Sequence, residues 1–169
     1  MQVNAATIVA LIVALGGWIL AGASTWLNYK NQTEANFFRA LDWLSGGIQK
    51  RSLGIAAVEG TWHLRRVRRL STPVLCGSAI YLLLRSNEHE SPSELNNLYR
   101  IMALITSVAK IRHEHEFHYQ MLLGALSEKL GPGFQGGLNV PAEKVAEWRS
   151  GTVAAITRSG GSAVAAPQP

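Results

Sequence analysis

The feature that most constrains this chain is an uninterrupted apolar segment near its amino terminus. No Asp, Glu, Lys or Arg occurs from Ala5 to Leu27, and every basic residue of the chain lies after this segment. As an α-helix with a rise of about 1.5 Å per residue, the segment is roughly 35 Å long, enough to cross the hydrocarbon core of a bilayer. The sequence therefore predicts a transmembrane helix at residues 5–27, with residues 1–4 as an extracytoplasmic leader.

A cleaved secretory signal is the alternative interpretation of the same segment. Residues 21–23 (Ala-Gly-Ala), just before Ser24, have the small side chains of a cleavage site. Against cleavage, residues 1–4 contain no basic residue, and the apolar segment continues beyond the site to Leu27. Trp26 is also typical of a helix that reaches the lipid headgroups. We therefore expect an uncleaved, single-pass anchor.

The charges that follow the segment predict its orientation. Lys30, Arg39 and Lys50 come after it, and no charged side chain precedes it. The positive-inside rule then puts the amino terminus outside the cell membrane and the carboxyl terminus in the cytoplasm. Gly17 and Ala21 have the spacing of a small-residue contact, which leaves a homodimer through the transmembrane helix open.

The rest of the chain has helical periodicity and few strand signals, which predicts an all-α fold. One helix, after an N-cap at Ser91 and a capping-box residue at Glu94, is expected to bury an apolar stripe on one face. The residues of this stripe are Leu95, Leu98, Met102, Ile105 and Ala109. The apolar segment at residues 72–84 is too short to cross a bilayer, and we expect it to be a buried helix. The predicted divisions are a juxtamembrane linker at 28–33, a cytoplasmic helical domain at 34–130, a Gly-rich loop with a short helix at 131–158, and a disordered tail at 159–169.

Two further helix faces are predicted from residue spacing. On the first face, at residues 53–60, small residues are expected to let the helix approach its neighbour closely. On the second face, in the last helix of the domain before Gly131, an apolar stripe is expected to be buried. A short helix from Pro141 to Arg149 is expected to dock through Trp148. The residues of the two faces are Leu53, Ala56, Ala57 and Gly60 for the first, and Phe117, Met121, Leu122 and Leu126 for the second.

The sequence of residues 40–85 also resembles a known protein family. Residues 51–59 (RSLGIAAVE) follow a Gly-Gly break, and residues 74–76 (VLC) and 81–82 (YL) precede Arg85. This segment resembles armadillo/HEAT-like helical pairs, of the kind found in bacterial membrane proteins and beside pentapeptide-repeat segments. The chain departs from that pattern in having four arginines between the helices and no pentapeptide repeat. The resemblance implies an armadillo-like scaffold that offers a surface to a protein partner, and it implies no catalytic residue.

A basic cluster is the sharpest chemical feature of the sequence. Arg65, Arg66, Arg68 and Arg69 lie within five residues, and four guanidinium groups attract phosphate. In a membrane-anchored protein, anionic lipid headgroups are the nearest phosphates, so these arginines are candidates for contact with lipid or with a partner. A solvated connector between two helices is the alternative. Nucleic acid is a less favoured ligand, because no recognition motif accompanies the cluster.

A string of histidines and glutamates, residues 113–118 (HEHEFH), raises the question of a metal site. Glu114, His115 and His118 would share a face of a helix, although the order of a zinc protease is absent. The single cysteine, Cys76, lies in an apolar segment and is expected to be inert. We find no phosphate-binding loop and no nucleophile motif. The sequence therefore predicts a scaffold that recruits a protein partner, with no enzymatic activity, cofactor or metal; an anionic-lipid module and a His/Glu metal enzyme are the alternatives.

Overall fold

The computed structural model describes residues 5–108 and 111–159, without the side chains of residues 5–13, 30 and 33. The predicted leader at residues 1–4 and all of the predicted tail except residue 159 lie outside the described residues. Within the described ranges the chain forms six α-helices and one 3-10 turn and contains no strand, which confirms the all-α fold. The elements are α1 (Ala5–Leu44), α2 (Ile48–Thr61), α3 (Arg65–Leu84), α4 (Pro92–Thr106), the 3-10 turn (His113–His115), α5 (Glu116–Lys129) and α6 (Ala142–Arg158).

The chain divides into two compact units, residues 1–38 and 39–169. The first unit contains most of α1, and residues 28–33, for which the sequence predicts a linker, are helical. Large apolar side chains of this unit are exposed: Trp18 is 83% exposed, Ile19 70% and Leu20 72%. This part of α1 is therefore an apolar helix whose described side chains are not packed into a core.

One helix of the described residues is long and apolar enough to cross a membrane, and it is α3 rather than the predicted segment. The transmembrane helix predicted at residues 5–27 is thus not supported by this test, and the side chains of residues 5–13 lie outside the described residues. In α3, Leu75, Ala79 and Leu82 are completely buried within the second unit. A core helix meets the same criteria of length and composition, and the prediction of a buried helix at residues 72–84 is confirmed.

The core of the second unit is built around α3. Helix α3 packs against α4 and α5, α6 packs against α5 and α4, and α2 packs mainly against α4. Helix α4 begins as predicted, with the Ser91 hydroxyl accepting a hydrogen bond from the backbone N–H of Glu94 at 3.4 Å. It also buries Leu98, Met102 and Ile105 of the predicted stripe, whereas Leu95 is only half-buried and Ala109 lies outside the described residues.

Helix α2 packs through a different face from the predicted one. Leu53, Ala56, Ala57 and Gly60 are exposed, and the buried side is formed by Arg51, Gly54, Ile55 and Val58. The close approach occurs at Gly54, where a Cβ atom would lie 2.7 Å from the carbonyl oxygen of Ala40. The predicted face was wrong because small residues occur on all sides of α2, so their spacing does not identify the side that packs.

The carboxyl-terminal helices also differ in part from the prediction. In α5, Leu122 and Leu126 are buried as expected, but Phe117 and Met121 are exposed. Helix α6 extends to Arg158, beyond the two or three turns predicted from Pro141. Trp148 docks as predicted, edge-on to the ring of Tyr99 with 5.1 Å between the ring centroids.

Candidate functional site

The four arginines of the basic cluster lie in the first turns of α3. Leu64 precedes the helix and supplies no side-chain cap, and Val67 is buried between the two pairs of arginines. The positive end of the helix dipole and the guanidinium groups therefore coincide, an arrangement that disfavours cations and favours an anion.

Three members of the cluster line a pocket of about 700 Å³. Arg65, Arg68 and Arg69 line one side, whereas Arg66 does not contribute to the lining. The other side comes from the segment before α5, including Arg112 and the buried His115. The fold thus brings together two stretches of sequence that are more than forty residues apart.

Glu114 does not line the pocket, but its carboxylate pairs with two of the arginines that do. Its Oε1 atom lies 3.1 Å from Nε of Arg69 and 2.9 Å from Nη1 of Arg112, and the carboxylate is partly exposed. No ion pair is formed by Arg65 or Arg68 within residues 5–108 and 111–159. Four arginines of the described residues therefore line the pocket, Glu114 pairs with two of them, and the pocket keeps an excess of positive charge.

His115 is the unusual polar group of the pocket. The residue is only 7% exposed, and neither of its ring nitrogens has a hydrogen-bond partner among the described residues. Its Nε2 atom lies 3.7 Å from Oε1 of Glu114, which is beyond hydrogen-bonding distance. Burial lowers the pKa of His115; the charge of Glu114 opposes this effect, and His118, Arg112 and Arg69 add to it.

The metal site considered from the sequence is not assembled in the described part of the chain. Glu114 is engaged by two arginines, and His115 is the last residue of the 3-10 turn, whereas His118 belongs to α5. The ring centroids of the two histidines are 6.4 Å apart. No group of three or more His, Cys, Asp or Glu side chains there is placed to hold a metal ion.

A second polar centre lies where α2 meets α4. The buried Arg51 donates hydrogen bonds from Nε to the carbonyl oxygen of Leu44 at 3.2 Å and from Nη2 to that of Gly46 at 2.9 Å. Its Nη1 atom pairs with the buried carboxylate of Glu94. Arg51 thereby satisfies carbonyl groups at and just after the end of α1. Glu94, predicted as a capping-box residue of α4, instead pairs with Arg51 and so joins α4 to α2.

Cys76 is buried in the apolar core of the second unit, and desolvation raises the pKa of its thiol to about 12. The thiolate is the reactive form of cysteine. Cys76 is therefore a packing residue, in agreement with its apolar sequence surroundings.

The sequence singled out the arginines and the Glu114–His115 string separately and missed their proximity. Arg112 was also missed, although it directly precedes the string. The second unit is thus an all-helical body with a basic pocket at the start of α3. No family model, curated protein or solved structure matches the chain.

Proposed function

We propose that the protein is anchored in the cell membrane by one helix at residues 5–27 and recruits a protein partner through its cytoplasmic helical domain. The observation that carries the anchor is the exposure of Trp18, Ile19 and Leu20 in the part of α1, residues 5–27, that has no charged residue. A helix that is apolar on all sides requires a protein core or a bilayer around it. The amino terminus is proposed to lie outside, because the basic residues follow the segment.

The recruiting surface is proposed to include the exposed side of α5. Phe117 is 69% exposed, and Met121, one turn later, is also exposed. Neighbouring apolar side chains at i and i+4 form one continuous patch, which is a common feature of protein contacts. The resemblance of residues 40–85 to armadillo-like pairs supports the same role, since α2 and α3 are two helices joined by a short connection. Fixing a partner at a membrane raises its effective concentration there.

Membrane fractionation of cells that express the full chain tests the anchor. The expected result is full-length protein in the membrane fraction that resists alkaline extraction, with its original amino terminus. A mature product that starts at Ser24 and remains in the soluble fraction would contradict the anchor.

Affinity capture from native membranes tests the recruiting surface. The full chain, a Phe117→Ser/Met121→Ser variant and a Leu53→Ser variant are compared, Leu53 being an equally accessible apolar residue on α2. Loss of the same protein from the first variant alone supports the α5 surface. Equal capture by all three proteins contradicts it.

The exposed arginines of α3 favour a second candidate function, a module that contacts anionic lipid headgroups. Arg65, Arg66 and Arg69 are exposed at the start of the helix. Each basic residue near an anionic surface contributes about 1 kcal/mol of attraction. The test compares binding of the full chain to anionic vesicles with binding to neutral phosphatidylcholine vesicles, since the proposed anchor enters both. The preference for anionic vesicles is expected to be lost at high salt and on changing all four arginines to Gln, and a preference that survives both changes removes this candidate.

A further inference from the structure

We propose that the pocket between the start of α3 and the segment before α5 binds a phosphate group, through Arg65, Arg68, Arg69, Arg112 and His115. This inference gives the second candidate function a defined site, and it does not depend on the anchor or on the protein partner. The phosphate would be carried by a lipid headgroup or by a free phosphomonoester.

The first argument is the unused hydrogen-bonding capacity of the pocket. Arg65 and Arg68 have no ion pair within the described ranges, and the nine-tenths buried His115 has two ring nitrogens without partners. A buried polar group without a partner is unfavourable unless a ligand or water supplies one. His115 lines the pocket, so a group bound there can accept a hydrogen bond from its imidazole.

The second argument concerns the chemistry of the anion. Glu114 already supplies one carboxylate and engages Arg69 and Arg112, and it leaves the other donors unpaired. A phosphate presents at least three acceptor oxygens and up to two negative charges, and guanidinium groups bind it through paired N–H bonds. The donors come from two separate segments of the chain, the start of α3 and the segment before α5, and a tetrahedral anion can accept bonds from both.

The third argument is the size of the pocket. Its volume of about 700 Å³ is in the range of small-molecule sites and exceeds the volume of a phosphate ion. The remaining volume can accommodate the group that carries the phosphate. This favours a phosphomonoester or a headgroup over an isolated ion.

The test uses the full chain in neutral detergent, with binding followed by calorimetry. The soluble probes are inorganic phosphate and glycerol 3-phosphate, and the lipid probe is phosphatidic acid in mixed micelles of the same detergent, with phosphatidylcholine in such micelles as its control. Saturable binding of glycerol 3-phosphate identifies a free phosphomonoester as a sufficient ligand. Saturable binding of phosphatidic acid alone, with the same dependence on the pocket residues, identifies a headgroup; absence of binding to every probe overturns the proposal.

Two matched variants separate the pocket from diffuse surface charge. Arg68→Gln and Arg66→Gln each remove one guanidinium from the same turns of α3, but only Arg68 lines the pocket. Loss of a charged hydrogen bond is expected to weaken binding about tenfold or more for Arg68→Gln, and Arg66→Gln is expected to change it about twofold or less. Equal losses in the two variants overturn the proposal. Unchanged circular dichroism and thermal unfolding serve as the check on folding.

Glu114→Gln is expected to have the opposite effect on phosphate affinity. Removing the resident carboxylate frees Arg69 and Arg112, so phosphate binding is expected to strengthen several-fold. A decrease would show that the carboxylate supports the ligand and would contradict the proposed competition. A polyglutamate peptide that displaces phosphate as effectively as glycerol 3-phosphate would also overturn it, since an acidic protein partner would then be the better ligand.

Spectroscopy of the histidine rings supplies a direct readout. With ¹⁵N-labelled histidine, the His115 ring signals are expected to shift when phosphate is added, and those of the exposed His113 to shift less. No change at His115 under saturating phosphate contradicts its role as a ligand.

Discussion

The buried His115, whose ring nitrogens have no hydrogen-bond partner among the described residues, makes stability sensitive to pH. The folded chain holds the pKa of His115 below the ordinary value of 6.5, chiefly because burial penalises its charged form. The unfolded chain then binds more protons than the folded chain near pH 6. The contribution of His115 to the free energy of unfolding is therefore complete above about pH 6.5 and decreases as the pH falls below that value. The charged and titratable groups around the ring, which act in both directions, are Arg69, Arg112, Glu114 and His118.

We therefore expect the free energy of unfolding to decrease as the pH is lowered from about 7 towards 5 in a buffer free of phosphate and sulfate. His115→Phe should flatten this dependence, because it removes the titrating group while keeping a ring in the buried position. His113→Phe, which makes the same substitution at an exposed ring, is the matched control. Urea unfolding at several pH values measures the effect, and identical slopes for the wild type and His115→Phe would contradict it.

At the scale of the helices, the buried ion pair between Arg51 and Glu94 joins α2 to α4. Replacing one partner of such a pair leaves the other charge buried, which costs about 3–5 kcal/mol. Glu94→Gln is therefore expected to reduce the free energy of unfolding by several kcal/mol. The matched control is Glu59→Gln, which breaks the more exposed pair with Arg100 and should cost about 1 kcal/mol or less.

Chemical unfolding of the three proteins, followed by far-ultraviolet circular dichroism, gives both differences. A loss for Glu94→Gln no larger than that for Glu59→Gln would mean that the pair does not hold the two helices together.

The packing of α2 against the end of α1 gives a second prediction for the helices. A methyl group at Gly54 would lie 2.7 Å from the carbonyl oxygen of Ala40 and 3.1 Å from the backbone nitrogen of Leu44. Both atoms belong to the backbone, so they cannot move aside as a flexible side chain would. Gly54→Ala is expected to destabilise the protein by about 1–3 kcal/mol.

Gly60→Ala is the matched control in the same helix. Nothing lies within 4 Å of a Cβ atom at Gly60, and alanine is the better helix former by up to about 1 kcal/mol. This variant should be as stable as the wild type or slightly more stable. Thermal unfolding distinguishes the two glycines, and equal effects would contradict the close approach at Gly54.

Helix α4 shows what the sequence could predict and α2 shows what it could not. The large apolar residues of α4 recur on one side, so periodicity alone identified Leu98, Met102 and Ile105 as core. In α2 small residues occur on all sides and the decisive buried group is Arg51. Its partner Glu94 is 43 residues away, and no local pattern reveals a pair at that separation. The pocket has the same origin, because Arg69 and Glu114 meet only in the folded chain.

For the whole molecule, the two units of the chain place different demands on their surroundings. The unit at residues 39–169 buries an apolar core of its own. The unit at residues 1–38 exposes Trp18 and its apolar neighbours. A soluble chain with such a helix would associate with itself or with other proteins, whereas a bilayer solvates it without a partner. The proposed topology thus gives the exposed apolar helix of the first unit a bilayer and leaves the second unit, which buries its own core, in water.

Labelling of single cysteines tests this topology directly. Gln2→Cys should react with a membrane-impermeant maleimide in intact cells, and Glu147→Cys, at an exposed position of α6, only after the membrane is opened. The wild type is the background control, since Cys76 is buried and its pKa is raised to about 12. Labelling of Glu147→Cys in intact cells would place the helical domain outside and reverse the orientation. Labelling of neither variant in intact cells, with Gln2→Cys also reactive once the membrane is opened, would contradict a span between the two positions.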